Sequence, residues 1–238
     1  MNLQNKALEN NPECVDNVTF KDGHLGGCNL LGDPGTECPK MWRYIVNKYY
    51  IKSVLDIGCG FGFHLKYFKD FLNLKIKGVE GSEKVQKLSF YPDDIIAHDY
   101  SLGSLKLNEN FDLCWSVEFV EHVNAEYRHF FFENFAQCKY LLITHAVPGQ
   151  GGYHHVNEQT DEYWINELSS YNFVYNPAET KYLRDLALED FNDFRAWQNE
   201  DPLTRSIRGV SCNTNSQIGH LIPHVAEAGL FFINKNLI

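Results

Sequence analysis

The sequence predicts an α/β protein built on a Rossmann-like, doubly wound and mostly parallel sheet, and three observations carry that expectation. Apolar runs of strand length recur, they alternate with stretches of helical periodicity, and the first of them ends in closely spaced glycines. Buried apolar strands separated by helices indicate a parallel sheet covered on both faces. At 238 residues the chain fits one such domain with a full core. Its 44% hydrophobic and 14% aromatic content is that of a globular protein. No repeat or low-complexity linker divides it, so residues 1–238 read as a single domain.

Taken in order, residues 1–38 are polar and turn-rich. Their composition fits a tail, whereas Gly26-Gly27 and Asp33-Pro34-Gly35 are the turn chemistry of an ordered lid. Residues 41–46 read as a short amphipathic helix. Strands are expected at 53–57, 76–80, 94–98, 111–116 and 140–145, with helices at 62–72, 82–90 and 124–137. Tyr163, Trp164 and Leu168 mark a helix over 158–171, and residues 173–175 a short strand. Asn176-Pro177-Ala178-Glu179 sets an N-cap, an N1 proline and an N3 glutamate in their preferred order. The helix that follows carries Leu183, Leu186, Ala187, Phe191, Phe194 and Trp197 along one side as core, and is expected to end near Pro202. Residues 229–234 form a last strand.

Chemistry concentrates first in Val54-Leu55-Asp56-Ile57-Gly58-Cys59-Gly60-Phe61-Gly62. This is a buried strand, a sharp turn and a helix start, where glycine permits backbone angles and ligand approach that a β-carbon blocks. Glu80 ends the second strand about 20 residues later, the spacing of a pocket for a ribose-bearing cofactor. Dinucleotide sites favour G-x-G-x-x-G; here the third glycine comes one residue early and Phe63 takes its place. The Asp56 carboxylate is unwelcome beside a pyrophosphate but suits a cationic ligand. The string resembles motif I of class I S-adenosylmethionine (SAM)-dependent methyltransferases. Phe111 through Val123 resembles the fourth-strand motif of the ubiquinone-type O-methyltransferases, so that the likeness covers roughly residues 50–147.

That resemblance implies a seven-stranded sheet whose last strand runs antiparallel. It implies a SAM site made of Asp56, Gly58, Cys59, Gly60 and Gly62 at the turn, and Glu80 with Gly81 at the ribose. Asp99, with His98 or Tyr100, would meet the adenine, and Ser116 and Val117 the methionine part. Glu118, Glu121 and His122 form E-x-x-E-H, two carboxylates and an imidazole of the kind that holds a divalent cation such as Mg²⁺. It looks like the cation site of small-RNA 2′-O-methyltransferases, which a later histidine completes; His155 is the candidate fourth ligand. The alternative is that Glu121 favours a helix N-terminus while His122 is structural or a metal-free base. His122, His145 and His155 are the candidate catalytic bases, since histidine titrates near neutral pH. The glycine-rich loop His145–Asn157 supplies two of them.

Charge and cysteine content bound the partners. A net charge of −10 with no Lys/Arg cluster disfavours nucleic acid and fits a small-molecule or glycan acceptor. No apolar run reaches the roughly 18 to 20 residues of a membrane span, and Met1–Lys6 lacks the order of a signal peptide. Seven cysteines, an odd number without a C-x-x-C pair, point to a reduced cytoplasmic setting. The expected activity is methyl transfer from SAM to a hydroxyl. An RNA 2′-O-methyltransferase, an N-methyltransferase and a non-catalytic SAM-binding protein stay open, as does the oligomeric state.

Overall fold

The alternating strands and helices assemble into one seven-stranded sheet in a computed structural model that describes residues 14–15, 19–30, 32–198 and 223–238. Ahead of that sheet lie three short strands, β1 (Cys14–Val15), β2 (Thr19–Lys21) and β3 (Gly27–Asn29), which pair antiparallel. Helix α1 (Pro39–Tyr49) leads into β4 (Ser53–Ile57), followed by α2 (Phe63–Asp70), β5 (Lys75–Glu80), α3 (Glu83–Leu88) and β6 (Ile95–Ala97). Next come β7 (Phe111–Ser116), α4 (Arg128–Phe135), β8 (Cys138–Ile143), α5 (Asp161–Ser169) and β9 (Phe173–Tyr175). Helices α6 (Pro177–Gln198) and α7 (His224–Ala228) precede the last strand, β10 (Leu230–Asn234).

The strand order is β6-β5-β4-β7-β8-β10-β9. Strands β4 to β8 pair in parallel, while β10 enters antiparallel between β8 and β9. The doubly wound sheet with an antiparallel last strand is therefore the observed architecture. Its order reverses at β4, which pairs with both β5 and β7. In open α/β sheets, ligands bind beyond the carboxyl ends of the strands at such a reversal.

Period-2 alternation divides the core between the two faces of the sheet. Leu113, Trp115, Leu142 and Phe231 pack with Met41, Trp42, Ile45, Phe68 and Leu183 on one side. Cys114, Leu141, Ile143, Leu230 and Phe232 pack with Phe131, Phe132, Phe135 and Trp164 on the other. Helix starts follow local chemistry. The Ser82 hydroxyl caps α3 through the Val85 amide, Thr160 caps α5 through Tyr163, and Asn176 caps α6 through Glu179.

Three expectations need adjustment. The helix expected over 124–137 is a 3₁₀ turn, Ala125–Tyr127, followed by the α-helix Arg128–Phe135. The fifth strand begins and ends two residues earlier than expected, because Cys138 pairs with Phe111 and Ile143 with Ser116. The N-terminal hairpins were not legible as strands at all. Pro202, Cys212 and the side chain of Trp197 lie outside the described residues. Among the described residues, no helix is long and apolar enough to cross a membrane.

Candidate functional site

Strand β4 delivers its glycine turn to the carboxyl edge of the sheet. Gly58, Gly60 and Gly62 all have positive φ (80°, 52° and 80°), and the Gly58 and Cys59 amides fasten the turn to the Val79 carbonyl at 2.9 and 3.2 Å. A β-carbon on Gly58 would sit 2.7 Å from the Phe119 side chain, so glycine is required twice over, by conformation and by space.

Glu80, at the end of β5, braces the same turn. Its Oε2 accepts from the Gly60 amide and its Oε1 from the Ser82 amide, both at 2.9 Å. Burial pushes its pKa up, and the two amides only partly offset that. A carboxylate has about four acceptor positions, so Glu80 keeps capacity for two further donors. Asp99 follows β6: its Oδ1 accepts from the Ser101 amide at 2.8 Å, and its Oδ2 pairs with His24 Nε2 at 2.8 Å. Burial opposes ionisation there, yet His24 and Ser101 hold the Asp99 carboxyl below the usual range.

Gly58, Gly60, Glu80, Gly81, Asp99 and Tyr100 line one cavity, joined from the opposite side by Glu118, Phe119 and His122. Residues Asp22 to Cys28 form its outer wall. Leu25 lies on Gly81, where a β-carbon would meet its side chain at 2.9 Å, and Ser82 bonds Asp22. The free space is ≈ 100 Å³, less than the about 150 Å³ that accommodates one benzene molecule.

Other residues expected at the cofactor lie behind this wall. Asp56 is buried against His64, with Oδ2 3.7 Å from His64 Nδ1 and without a hydrogen-bond partner. His64 Nδ1 accepts from Trp115 Nε1 at 3.0 Å, so the imidazole proton sits on Nε2, toward Thr36. Burial raises the Asp56 pKa. Ser116 is buried and donates to the Ile57 carbonyl at 2.9 Å. Cys59, Gly62, Ser116 and Val117 support the turn from inside rather than face the cavity. Tyr100 faces it with its ring and spends its hydroxyl on Asn134 at 2.7 Å.

Beyond β7, the 3₁₀ turn Val120–His122 brings the E-x-x-E-H residues to the loop that follows β8. Glu121, His122 and His155 each offer a ligand atom within 4.8 Å of the others. Both Glu121 oxygens and His155 Nδ1 are buried without a hydrogen-bond partner. Native structures seldom leave such atoms unpaired, and a cation there would satisfy all three. Burial, reinforced by the charge of Glu118, pushes the Glu121 pKa up. Burial and the neighbouring His155 push His122 down to about 4, which keeps it neutral and able to ligate at pH 7. Its Nδ1 bonds the His154 carbonyl at 3.2 Å.

Two predicted residues stand apart from that cluster. Glu118 has φ 54° and turns its carboxylate to Thr144 Oγ1 (2.9 Å) and His224 Nδ1 (3.0 Å). His145 is 1% exposed, bonded through Nε2 to Asp161 at 2.9 Å, and does not join His122 and His155. The reason is local: His145 still continues the buried end of β8, whereas His155 lies past the glycine turn that brings the chain back over the edge. Sequence reasoning missed His24, Asp33 and His224. Only the clustering of glycines around the first two marked them, and nothing marked His224.

Residues 55–138 match the family model described as a methyltransferase domain. No curated protein matches the chain. Among solved structures, the methyltransferase domain of bacterial CtHen1-CN is 16% identical, with a TM-score of 0.46, over 58% of this chain and 86% of that one. The O-methyltransferase from a trans-AT PKS multienzyme of Brevibacillus brevis, in complex with S-adenosyl-L-homocysteine, is 14% identical, with a TM-score of 0.47, over 81% and 70%. The glycopeptide N-methyltransferase MtfA is 11% identical, with a TM-score of 0.46, over 59% and 78%. Likenesses of this size carry no functional argument. The matched segment, which holds the glycine turn and Glu80, is similar to methyltransferase domains over about a third of the chain.

Proposed function

We propose that this protein transfers the methyl group of SAM to a hydroxyl of a neutral small molecule or glycan, with a divalent cation held at Glu121, His122 and His155. The observation that carries the reading is the cluster of unpaired buried atoms on Glu121 and His155 beside His122, which itself lines the cofactor cavity. When bound, a divalent cation supplies a Lewis acid that lowers the pKa of a coordinated hydroxyl.

The chain's own residues do the rest. The glycine turn and Glu80 hold the nucleoside, Asp99 receives the adenine amino group, and Phe119 on Gly58 borders the path to the methyl. Holding donor and acceptor in line supplies several kcal/mol of the barrier reduction, about 7 or more in well-oriented systems. With His122 and His155 assigned to the cation, neither is left to act as the base, and His145, with Nε2 committed to Asp161 and its ring buried, is not available either, so the hydroxyl proton would leave to solvent.

Segment 22–28 is a lid on this reading. His24 occupies the Asp99 carboxylate and Leu25 covers Gly81, so both withdraw as the nucleoside enters. Among the described residues no Lys or Arg lines the cavity, which favours an uncharged acceptor over RNA. Cys38, Cys59, Cys114 and Cys138 are buried thiols, in keeping with a reducing cytoplasmic setting.

The test is transfer of labelled methyl from SAM to a panel of polyols, sugars, catechols and amines, with EDTA or with Mn²⁺. Turnover on hydroxyl acceptors that EDTA abolishes and Mn²⁺ restores is the expected result. EDTA-insensitive turnover on amines would replace this reading with metal-free N-methylation.

A further inference from the structure

Resting on the cation reading above, we propose that His224 is a positioning residue that holds Glu118 out of the Glu121–His122–His155 cluster and ties it to the N-terminal segment. Glu118 belongs to E-x-x-E-H, yet it is not among the three residues whose ligand atoms meet within 4.8 Å. It remains close enough for its charge to act on both Glu121 and His122.

What diverts it is visible. His224 Nδ1 lies 3.0 Å from Glu118 Oε2, and Nε2 lies 3.4 Å from Asp33 Oδ2, so one ring spans two carboxylates. Thr144 Oγ1 donates to Glu118 Oε1 at 2.9 Å and accepts from the Glu118 amide at 2.8 Å, fixing the other half of the side chain. The His224 amide donates to the Gly35 carbonyl at 3.1 Å, and the Gly35 amide donates to Asp33 Oδ1 at 2.8 Å. The start of α7, the Asp33–Gly35 turn and the strand-end glutamate are thus one hydrogen-bonded unit.

A ring that pairs with two carboxylates is a cationic partner already in place. Glu118 can serve as a fourth ligand only by leaving that partner, and its departure loosens Asp33 as well. Cation capture and the seating of the N-terminal turn are linked through this one side chain. Linkage is reciprocal, so freeing Glu118 must strengthen cation binding.

The experiment titrates Mn²⁺ into the full chain by calorimetry and by loss of free-Mn²⁺ EPR signal. It uses wild type, His224→Ala, His224→Gln, Glu118→Gln and the Glu118→Gln/His224→Ala double variant, with S-adenosylhomocysteine binding and melting as controls. His224→Ala is expected to bind Mn²⁺ about tenfold more tightly, the size of one partly buried ion pair, with His224→Gln between it and wild type. In the Glu118→Gln background, His224→Ala changes nothing further, because the effect runs through Glu118. Unchanged or weaker Mn²⁺ binding in a folded His224→Ala overturns the proposal, as does the same gain with Glu118→Gln present. If His224→Ala does not fold, unchanged or weaker binding by His224→Gln overturns it. Absence of Mn²⁺ binding in every variant overturns the cation reading itself and this proposal with it.

Discussion

The two halves of the carboxyl edge are built in different ways. Around β4, β5 and β6, the site is backbone: positive-φ glycines, amides that brace Glu80, and strand ends that fall at fixed spacing. Around β7 and β8, it is side chains meeting across loops: Glu121 and His122 from a 3₁₀ turn, His155 from beyond a glycine run, and His224 from the far end of the chain. A backbone site tolerates few substitutions but is predictable. A side-chain site depends on which rotamer each loop selects.

The first half should therefore break sharply. Gly58→Val places a branched side chain where a β-carbon already meets Phe119 at 2.7 Å, at φ 80°. S-adenosylhomocysteine affinity should fall more than about a hundredfold, with a loss of about 2–4 kcal/mol of stability from combined backbone strain and overpacking. Calorimetry and denaturant unfolding measure the two effects; wild-type binding by this variant would mean the cofactor does not pass the turn.

The second half should break selectively. A β-carbon on Gly152 would lie 2.5 Å from the His155 ring, so Gly152→Ala must displace that imidazole. Mn²⁺ affinity should drop about tenfold, in the range seen when a ligand loses its support, while S-adenosylhomocysteine affinity stays within about twofold. Equal losses of both ligands would erase the distinction between the halves.

The smallest effect concerns the wall between them. Leu25→Ala removes the side chain over Gly81 and leaves Glu80 untouched. If residues 22–28 act as a lid, stopped-flow mixing with S-adenosylhomocysteine should show association a few-fold faster, because an opening step that limits binding costs less. Slower association would instead make Leu25 part of the nucleoside's seat.

This contrast explains what could be read from the chain. The placement of Glu80, Gly58 and Gly60 at one cavity was legible because it follows from spacing and backbone conformation, which local sequence dictates. Asp99 was legible as a strand end. Asp56 was legible as motif but not in placement: its register on β4 points it inward, against His64. His122 and His155 were singled out together, and the loop brings them together. His145, ten residues earlier, looks equivalent in sequence, but it remains on the buried continuation of β8. His24 and His224 act over 75 and 106 residues of separation, on Asp99 and Glu118. No local pattern encodes contacts of that range.

The account's central claim is that cofactor and cation occupy separately built halves of one edge. A crossed calorimetric titration tests it most directly: S-adenosylhomocysteine and Mn²⁺, each against wild type, Glu80→Ala and Glu121→Ala. Glu80→Ala should weaken S-adenosylhomocysteine by about 10- to 100-fold, the cost of charged hydrogen bonds worth about 1.5–3 kcal/mol, and leave Mn²⁺ unchanged. Glu121→Ala should abolish Mn²⁺ binding and leave S-adenosylhomocysteine within about twofold. Retention of Mn²⁺ by Glu121→Ala, or of full S-adenosylhomocysteine affinity by Glu80→Ala, would contradict it.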